Sequence, residues 1–463
     1  MLSLAQLRHQ HPRFLFNSVE LTHQDQELII TLGYQLEHGP RLETTLKFSN
    51  ISAELLAQRD LELIKLWATH IGMVEGLSYW KTSCSPVWEV TFPGITPEQV
   101  SFWDGLLKKG LSEFFYIHQI NAWEEDFVSF LLPPQNSQLA TPDQSEHQRR
   151  ALVPVGGGKD SVVTTELFKE AQLPLHTFSV NMYPQLEHVL GVYWQGQTTH
   201  NHVKVTRHLD PQLIELNRQG YLNGHTPFSA MVAFISTLSA YLYDYSYVPL
   251  SNEWSANEGN TVFHGQTINH QYSKTIEFEQ VFREHLVKYL STTIEYFSFL
   301  RPLHELQIAQ LFTHYPQYFP KFLSCNRGQK TGTWCGECPK CLFVAIMLSP
   351  YMKNEKISEI FGGKDILNNL ALQDIFDQLV GFTEVKSLEC VGTRDESRAA
   401  VALAAQHMQP LPALLSYGWE RLLHEASVEQ HLAAAQQLQR SMANEHCIPE
   451  ELFSFLQESL KRA

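Results

Sequence analysis

The chain has little positive charge. Its 34 Lys and Arg residues are outnumbered by 49 Asp and Glu residues, which leaves a formal net charge of −15. Nucleic-acid-binding surfaces usually carry a broad excess of basic residues, so this balance argues against nucleic acid as a partner. It leaves room for an anionic small molecule, because a few arginines and a helix N-terminus can create a local positive site.

Long apolar runs are missing as well. No stretch approaches the roughly 20 apolar residues that a membrane helix needs, and residues 1–9 lack the basic and apolar regions of a signal peptide. Hydrophobic residues at 43% and charged residues at 18% are typical of a globular protein in solution. We therefore predict a cytoplasmic protein with no membrane partner; its oligomeric state stays open.

The pattern of apolar residues predicts three units. They are an N-terminal α+β domain (1–147), a central α/β domain (148–349) and a helical C-terminal region (350–463). In the first unit, short β-prone runs at 14–16, 27–32 and 44–48 indicate an antiparallel meander. The polar, proline-containing stretch 132–146 is predicted to be a linker.

Strands and helices alternate in the second unit. We predict strands at 151–155, 175–180, 203–206 and 247–252, and helices at 162–171 and 227–243. Thr226 is expected to cap the second helix, with Pro227 at its first position. The alternation is typical of a doubly wound parallel sheet, in which ligands bind at the C-terminal ends of the strands.

A glycine-rich loop at 156–161 separates the first of these strands from its helix. Glycines let backbone N–H groups approach phosphate oxygens, and the helix N-terminus adds partial positive charge. A kinase-type loop would need Ser or Thr directly after Lys159, and a dinucleotide loop would need a further glycine. A plain strand–helix turn is the structural alternative. We predict a phosphate-binding loop of another kind.

Cysteines are few, but four of the seven lie close together. Cys325, Cys335, Cys338 and Cys341 have the spacing C-x9-C-x2-C-x2-C. Four thiolates complete a tetrahedral zinc shell, so the pattern predicts a structural zinc site rather than a catalytic one. Unrelated buried cysteines and a redox pair formed by Cys338 and Cys341 are the alternatives.

The glycine loop resembles the Ser-Gly-Gly-x-Asp-Ser loop of the PP-loop ATP pyrophosphatases, with Gly156 in place of the first Ser. That superfamily binds ATP on a parallel sheet and cleaves it between the α and β phosphates. The resemblance implies a pyrophosphate cradle made of Gly156, Gly157, Gly158, Lys159 and Ser161. It also implies that Asp160 helps to place Mg²⁺ and acts with Lys159 in catalysis. The cysteine pattern is similar to the zinc motif of PP-loop enzymes that make 7-cyano-7-deazaguanine.

A wider set of strings resembles one family, MurL, the UDP-N-acetylmuramoyl-L-alanyl-L-glutamate epimerases. The strings are Val-Gly-Gly-Gly-Lys-Asp-Ser at 155–161, Asn-Gly-His at 223–225, Ser-Asn-Glu-x-Ser-Ala-x-Glu-Gly-Asn at 251–260, Asn-His-Gln-x-Ser-Lys at 269–274, Ser-Cys-Asn-Arg at 324–327, Trp-Cys-Gly-x-Cys-Pro-Lys-Cys at 334–341 and Glu-Cys-Val-Gly at 389–392. The likeness covers most of the chain and is densest from 153 to 345.

The resemblance implies that the terminal L-Glu of UDP-MurNAc-L-Ala-L-Glu is inverted while ATP becomes AMP and pyrophosphate. A Cα proton beside an ionised carboxylate is very weakly acidic, whereas an acyl-adenylate has no carboxylate charge and forms its enolate more easily. One rival is another PP-loop enzyme, an amide- or nitrile-forming ligase or a sulfurtransferase. The other is a non-catalytic nucleotide-binding or zinc-ribbon RNA-binding protein.

Further site residues follow from the resemblance and from the predicted strand ends. For ATP they are Ser179 and Val180 at the adenine, Asn252 and Glu253 after the fourth strand, and Lys274 and Arg327 for substrate or phosphate charge. For proton transfer the candidates are His225, because histidine exchanges protons near neutral pH, and Cys390, because a thiolate is a workable base; His270 and Lys81 are weaker. Each of these side chains has a structural or solvated role as its alternative.

Overall fold

The computed structural model of the protein describes residues 2–134, 139–195 and 201–462. Its strands are β1 Arg13–Gln24, β2 Glu27–Leu36, β3 Arg41–Ser49, β4 Val87–Val90, β5 Ser129–Leu131, β6 Ala151–Pro154, β7 Leu175–Val180, β8 His202–Leu209, β9 Tyr247–Leu250, β10 Thr261–Phe263, β11 Gln266–Ile268 and β12 Glu295–Ser298. Across the described ranges, every helix is too short or too polar to span a bilayer.

Helices cover much of the rest of the described chain. They are α1 Leu4–Gln10, α2 Ala53–Ala57, α3 Leu61–Trp80, α4 Val100–Gly110, α5 Ser112–Ile117, α6 Lys159–Glu170, α7 Pro184–Tyr193, α8 Gln212–Arg218, α9 Phe228–Tyr243, α10 Ile276–Tyr289, α11 Glu305–Thr313, α12 Pro339–Leu348, α13 Asn354–Ile360, α14 Gln373–Val380, α15 Arg394–His407, α16 Ala413–Leu422, α17 Val428–Arg440 and α18 Glu450–Arg462. The predicted helical character beyond residue 350 is confirmed.

Ten strands form one sheet in the order β12-β9-β6-β7-β8-β3-β2-β1-β4-β5. The pairs among β12, β9, β6, β7 and β8 are parallel, whereas β1, β2 and β3 form the predicted antiparallel meander. Antiparallel pairing of β3 with β8 joins the two parts. The result is a mixed α/β fold with a large, mainly parallel sheet. The sheet crosses the predicted domain boundary near residue 147, which stays a prediction.

Apolar side chains fill both faces of this sheet. Successive residues of a strand point to opposite faces, and in β6 Leu152 belongs to one buried cluster while Val153 belongs to the other. The first cluster includes Trp67 of α3 and Phe234 of α9. The second includes Phe343 of α12 and many residues of the C-terminal helices. The C-terminal helices therefore pack against the central α/β part rather than forming a separate core.

The chain order of the strands reverses between β6 and β9, which are neighbours in the sheet although β7 and β8 lie between them in the chain. Such a reversal opens a crevice at the carboxyl ends of the strands, where α/β proteins bind ligands. The loops that follow β6, β7 and β9 all begin at this edge.

Two local predictions need correction. Helix α9 begins at Phe228, and Pro227 is its N-cap residue with ψ 71°, outside the helical region; within the described chain no side chain, Thr226 included, caps it. The Thr226 carbonyl instead accepts the Phe228 N–H at 2.7 Å in a tight turn. The other change is β12, a four-residue strand that the sequence pattern did not reveal.

The stretch predicted to be a linker is anchored near its end. Asp143 is buried and accepts hydrogen bonds from the side chains of His147 (2.8 Å), Ser291 (3.1 Å) and Thr293 (3.0 Å). Residues 135–138 of this stretch lie outside the described residues. From Asp143 onward it is therefore fixed to the turn before β12.

Candidate active site

A cavity of about 800 Å³ lies in the crevice between β6 and β9. Among the residues predicted from the sequence, it is lined by Gly156, Gly158, Lys159, Asp160, Ser161, Ser179, Val180, His225, Asn252, His270, Lys274 and Cys390. Gly157 and Glu253 are buried beside it. Arg327 is exposed and lies outside the lining. The structure thus brings residues from across the chain to one place.

The glycine loop connects β6 to α6 at the floor of the cavity. Gly158 is the N-cap residue of α6, and Gly157 has φ +81°, a conformation that favours glycine. The Gly157 carbonyl accepts the N–H of Leu323 at 2.9 Å, which ties the loop to the chain just before the cysteine cluster. At Gly156 a Cβ would meet no described atom within 4 Å, so the backbone there leaves space above the loop.

Lys159 is a buried cation with two carboxylate partners. Its Nζ contacts Asp160 on the same helix and Glu305 at the start of α11. Burial lowers the pKa of Lys159, but the two carboxylates outweigh that effect and raise it above its usual value. Burial in turn raises the pKa of Glu305 well above the ordinary range. The base of the cavity therefore holds one ammonium group between two acids.

Arg301 organises the loops after β9 and before α10. It is fully buried, donates to the carbonyls of Glu253 (2.7 Å) and Lys274, and pairs with Glu279 at 3.2 Å. The neighbouring Asn252 side chain donates to Ser298 Oγ at the end of β12 (3.0 Å). These contacts fix the backbone positions from which Asn252 and Lys274 reach the cavity.

A row of polar groups lies beside the cavity, where Glu113 of α5 meets side chains of the cavity lining. Glu113 contacts His270 Nδ1, and His225 Nδ1 lies 3.7 Å from the same carboxylate oxygen. The two imidazole rings are 4.5 Å apart between centroids. Cys390, which lines the same cavity, interacts electrostatically with His270 and with Lys274. Glu113, His225, His270, Lys274 and Cys390 thus form one connected set, which we call the proton-transfer row after the role predicted from the sequence for His225 and Cys390.

The members of this row have strongly shifted pKa values. Burial raises the pKa of the Cys390 thiol, but the positive charge of Lys274 outweighs it, so the pKa lies well below its usual value. For His270, burial is outweighed by hydrogen bonds to Cys390 and Glu113, which raise the pKa to about 9. Burial and the charge of His270 lower the pKa of His225 to about 4. These shifts favour a thiolate at Cys390, an imidazolium at His270 and a neutral imidazole at His225.

Lys81 lies next to the proton-transfer row but outside the cavity lining. It is buried at the end of α3, and its ammonium group donates to the Gly224 carbonyl, next to His225. Burial and the nearby Arg207 lower the pKa of Lys81 to about 8. Its direct contact is thus with the backbone that carries His225.

The four predicted zinc ligands do come together. Their sulfur atoms all lie within 4.8 Å of one another, and three of the distances are 3.7 Å (Cys325–Cys338), 3.7 Å (Cys335–Cys341) and 3.4 Å (Cys338–Cys341). Tetrahedral zinc with bonds of about 2.3 Å requires sulfur atoms about 3.8 Å apart. The cluster therefore has the chemistry and the dimensions of a metal site.

Sequence reasoning left several residues in or beside the cavity without a role. Lys340 lies inside the string at 334–341 but was assigned no function, Glu113 was not considered as a site residue, and Arg301 and Glu305 follow the unpredicted strand β12. The sequence contains one signal for Arg301 and Glu305. Both follow a short aromatic run, and charged side chains that are buried beside such a run need partners.

Comparison with known proteins finds family models that match most of the chain. Residues 5–299 match the family model for the MurL N-terminal domain, and residues 321–431 match the model for the MurL C-terminal domain. The chain is 32% identical over 415 residues to the UDP-N-acetyl-alpha-D-muramoyl-L-alanyl-L-glutamate epimerase of Xanthomonas oryzae pv. oryzae, covering 87% of this chain and 88% of that protein. It is 35% identical over 340 residues to the protein of the same name from Salinispora tropica, covering 72% of each. The chain therefore belongs to the MurL family of epimerases.

Proposed function

We propose that the protein inverts the Cα of the terminal L-Glu of UDP-MurNAc-L-Ala-L-Glu to give D-Glu, with ATP converted to AMP and pyrophosphate. The relatives are named for an epimerase of this substrate. The observation that carries the ATP part is the shared cavity, which is lined both by a glycine loop at a helix N-terminus and by four members of the proton-transfer row, namely His225, His270, Lys274 and Cys390. A racemase that does not use ATP would need only the proton-transfer row and no glycine loop.

The first step is activation of the substrate carboxylate. A carboxylate oxygen attacks the α-phosphorus of ATP, the bond to the β-phosphate breaks, and pyrophosphate leaves toward the glycine loop and the N-terminus of α6. Lys159 and Ser161 supply a charge and a hydroxyl at that end, and Asp160 and Glu305 offer the oxygen ligands that Mg²⁺ prefers. Ser179 and Val180 at the end of β7 contact the adenine.

The second step exchanges the Cα proton. Neutral His225 takes the proton of the activated L-Glu, so the C–H electron pair moves into an enolate. The Cys390–His270 pair, which holds one proton between its sulfur and nitrogen, returns a proton to the other face. Water then cleaves the acyl phosphate bond and releases AMP. Lys274 stabilises the thiolate that remains.

The charged end of the substrate needs cations at the cavity wall. Lys340 lines the cavity and hydrogen-bonds to Asn326 at 3.1 Å, so it is better placed for this role than the exposed Arg327. Lys340 and Arg327 both lie beside cysteines of the cluster in the sequence, so the cluster sets where each of them stands. We propose that structural zinc in the cluster fixes this segment against the glycine loop.

One experiment tests the proposal. The protein is incubated with ATP, Mg²⁺ and UDP-MurNAc-L-Ala-L-Glu in D₂O, and AMP release and deuterium at the Glu Cα are measured together. We expect substrate-dependent AMP and one deuterium in each D-Glu formed. Asp160→Asn should abolish both, because pyrophosphate departure loses its metal and loop contacts.

Variants of His225 and Cys390 distinguish removal of the proton on one face of the Cα from its return on the other face. Cys390→Ser should keep AMP release, stop inversion, and still wash deuterium into unreacted L-Glu through His225. His225→Asn should keep AMP release and lose that washout as well. AMP without any deuterium in the wild type would instead indicate a ligase, and absence of substrate-dependent AMP would refute an ATP-dependent reaction.

A further inference from the structure

We propose that Glu113 of α5 is a positioning residue of the active site, which holds His270 so that it shares one proton with Cys390. The N-terminal part of the chain would then supply a component of the catalytic machinery and not only a scaffold. This inference rests on the proposed function, in which Cys390 exchanges a proton with the substrate Cα.

The contacts define an orientation for His270. Its backbone N–H donates to Asn260 Oδ1 at 2.8 Å, which fixes the main chain, and its Nδ1 contacts the Glu113 carboxylate, which fixes the ring. With Nδ1 engaged, Nε2 is left for the Cys390 sulfur. The Glu113 side chain is only 10% exposed, so water competes little for its oxygen atoms.

This arrangement is the one that a carboxylate–imidazole–nucleophile set uses elsewhere in enzymes. A buried carboxylate keeps the imidazole in one tautomer and stabilises the imidazolium, while the imidazole controls the proton on its other partner. When the pair gives its proton to the Cα carbanion, a C–H bond forms and the pair is left as thiolate and neutral imidazole. Solvent restores the proton afterwards.

The Cys390–His270 pair has several charged neighbours. Cys390 faces Lys274 and Lys340, which favour the thiolate, and Glu389, which opposes it; His270 also faces His225. Glu113 is the one acid in this set that hydrogen-bonds to the His270 ring. Its removal should therefore act on the Cys390–His270 pair, and through the 3.7 Å contact also on His225, while it leaves Lys274 in place.

A metal ion is the competing explanation for the same residues. Ligand atoms of Glu113, His225 and His270 all lie within 4.8 Å of one another. The ammonium groups of Lys81 and Lys274, however, act on this row and disfavour another positive charge. Direct contact between Glu113 and His270 also satisfies both groups without an ion. The shared proton is the better account.

The test uses the whole protein and two independent readouts. The first is the rate at which iodoacetamide alkylates Cys390, followed as a function of pH by mass spectrometry of its peptide, which needs neither ATP nor substrate. We expect a low apparent pKa in the wild type and a rise of at least one unit in Glu113→Gln, because His270 loses its imidazolium form. Glu113→Asp should restore part of the low value.

The second readout is turnover in D₂O. Glu113→Gln should release AMP within about threefold of the wild-type rate but invert Glu about 10²-fold more slowly. The surface variant Glu277→Gln, which like its exposed partner Lys109 lies outside the cavity lining, should match the wild type in both readouts. If Glu113→Gln does not fold, His270→Asn replaces it and should raise the alkylation pKa in the same way.

The outcomes separate this inference from the proposed function. An unchanged alkylation profile with normal inversion in Glu113→Gln would overturn the positioning role. A metal ion, beyond that held by the four cysteines, that is lost in Glu113→Gln would overturn it in favour of a metal site. If the wild type inverts no substrate while the alkylation pKa still depends on Glu113, the proposed function has failed and the Glu113–His270–Cys390 contact has not.

Discussion

Buried charges in this protein are paired at the level of single residues. Arg207 of β8 makes a two-point contact with Glu75 of α3, with both N–O distances at 2.7 Å, and Glu75 is completely buried. A buried charge is costly unless a partner compensates it, so these pairs restrict how the surrounding elements can be arranged. Arg207 also lines the cavity, which links α3 to the proposed active site.

The pair of Asp143 and His147 should make stability depend on pH. Burial raises the pKa of Asp143, but its hydrogen bonds to His147 and Ser145 outweigh burial and lower the pKa. Burial lowers the pKa of His147, but its hydrogen bonds to Asp143 and Asp244 outweigh burial and raise the pKa. The lowered pKa of Asp143 contributes stability above about pH 3.8, and the raised pKa of His147 contributes stability that is fully present below about pH 6.5. The contribution of the pair is therefore largest between those values.

We expect Asp143→Ala to lower the free energy of unfolding by about 3–5 kcal/mol near pH 5.5, because it leaves His147 buried without this partner. The loss should shrink as the pH rises through the folded-state pKa of His147. Urea unfolding at pH 5.5 and pH 9 measures both. Asp104→Ala, which removes a partly exposed pair with Lys108, should cost less than about 1 kcal/mol; an equal loss at both pH values would contradict the linkage.

At the level of elements, two glycines let α3 lie close against the sheet. A Cβ at Gly72 would collide with the ring of Phe16 on β1, and one at Gly76 would collide with Trp88 on β4. Glycine lowers helix propensity, so its presence here serves packing rather than helix formation. The aromatic rings of the strands occupy the space that side chains would otherwise fill.

Gly72→Ala should therefore destabilise the protein by about 1–3 kcal/mol, although alanine is the better helix former. Gly105 in α4 provides a matched control, because a Cβ there meets no described atom within 4 Å. Gly105→Ala should stabilise the protein by about 0.5–1 kcal/mol. Thermal unfolding of both variants decides the matter, and similar shifts in Tm would show that α3 can move away from β1.

At the level of the whole molecule, the cysteine cluster belongs to the second apolar core. Cys325, Cys338 and Cys341 are buried there with Phe322 and Phe343. The backbone just before Cys325 bonds to the glycine loop through Leu323 and Gly157. Metal in this cluster would thus connect the stability of the C-terminal helices to the floor of the cavity.

Cys338→Ser should consequently remove bound zinc and unfold the second core, rather than stop chemistry in a folded enzyme. Structural zinc binds with about 10–16 kcal/mol in small peptides, so its loss should exceed the stability reserve of this part of the molecule. Metal analysis and calorimetry provide the measurement, with Cys447→Ser as the control that keeps its zinc. A zinc-free variant with the wild-type Tm would contradict the structural role.

What the sequence by itself determined are the features encoded in contiguous residues. The glycine loop, the C-x2-C pairs and the meander of β1, β2 and β3 follow from local patterns, since backbone freedom, ligand spacing and period-two burial act over short stretches. The short strand β12 and the start of α9 were missed or misplaced because packing against the sheet and a tight turn, not local propensity, define them.

Only the tertiary structure decided how the proton-transfer row is assembled. Glu113, His270 and Cys390 come from distant parts of the chain, and their contacts arise because β3 pairs with β8 and α5 packs against the loop before α10. The charge states of the row depend on the same assembly, since each pKa reflects burial and neighbouring charges. No local pattern encodes either one, because both exist only once remote segments share a low-dielectric space.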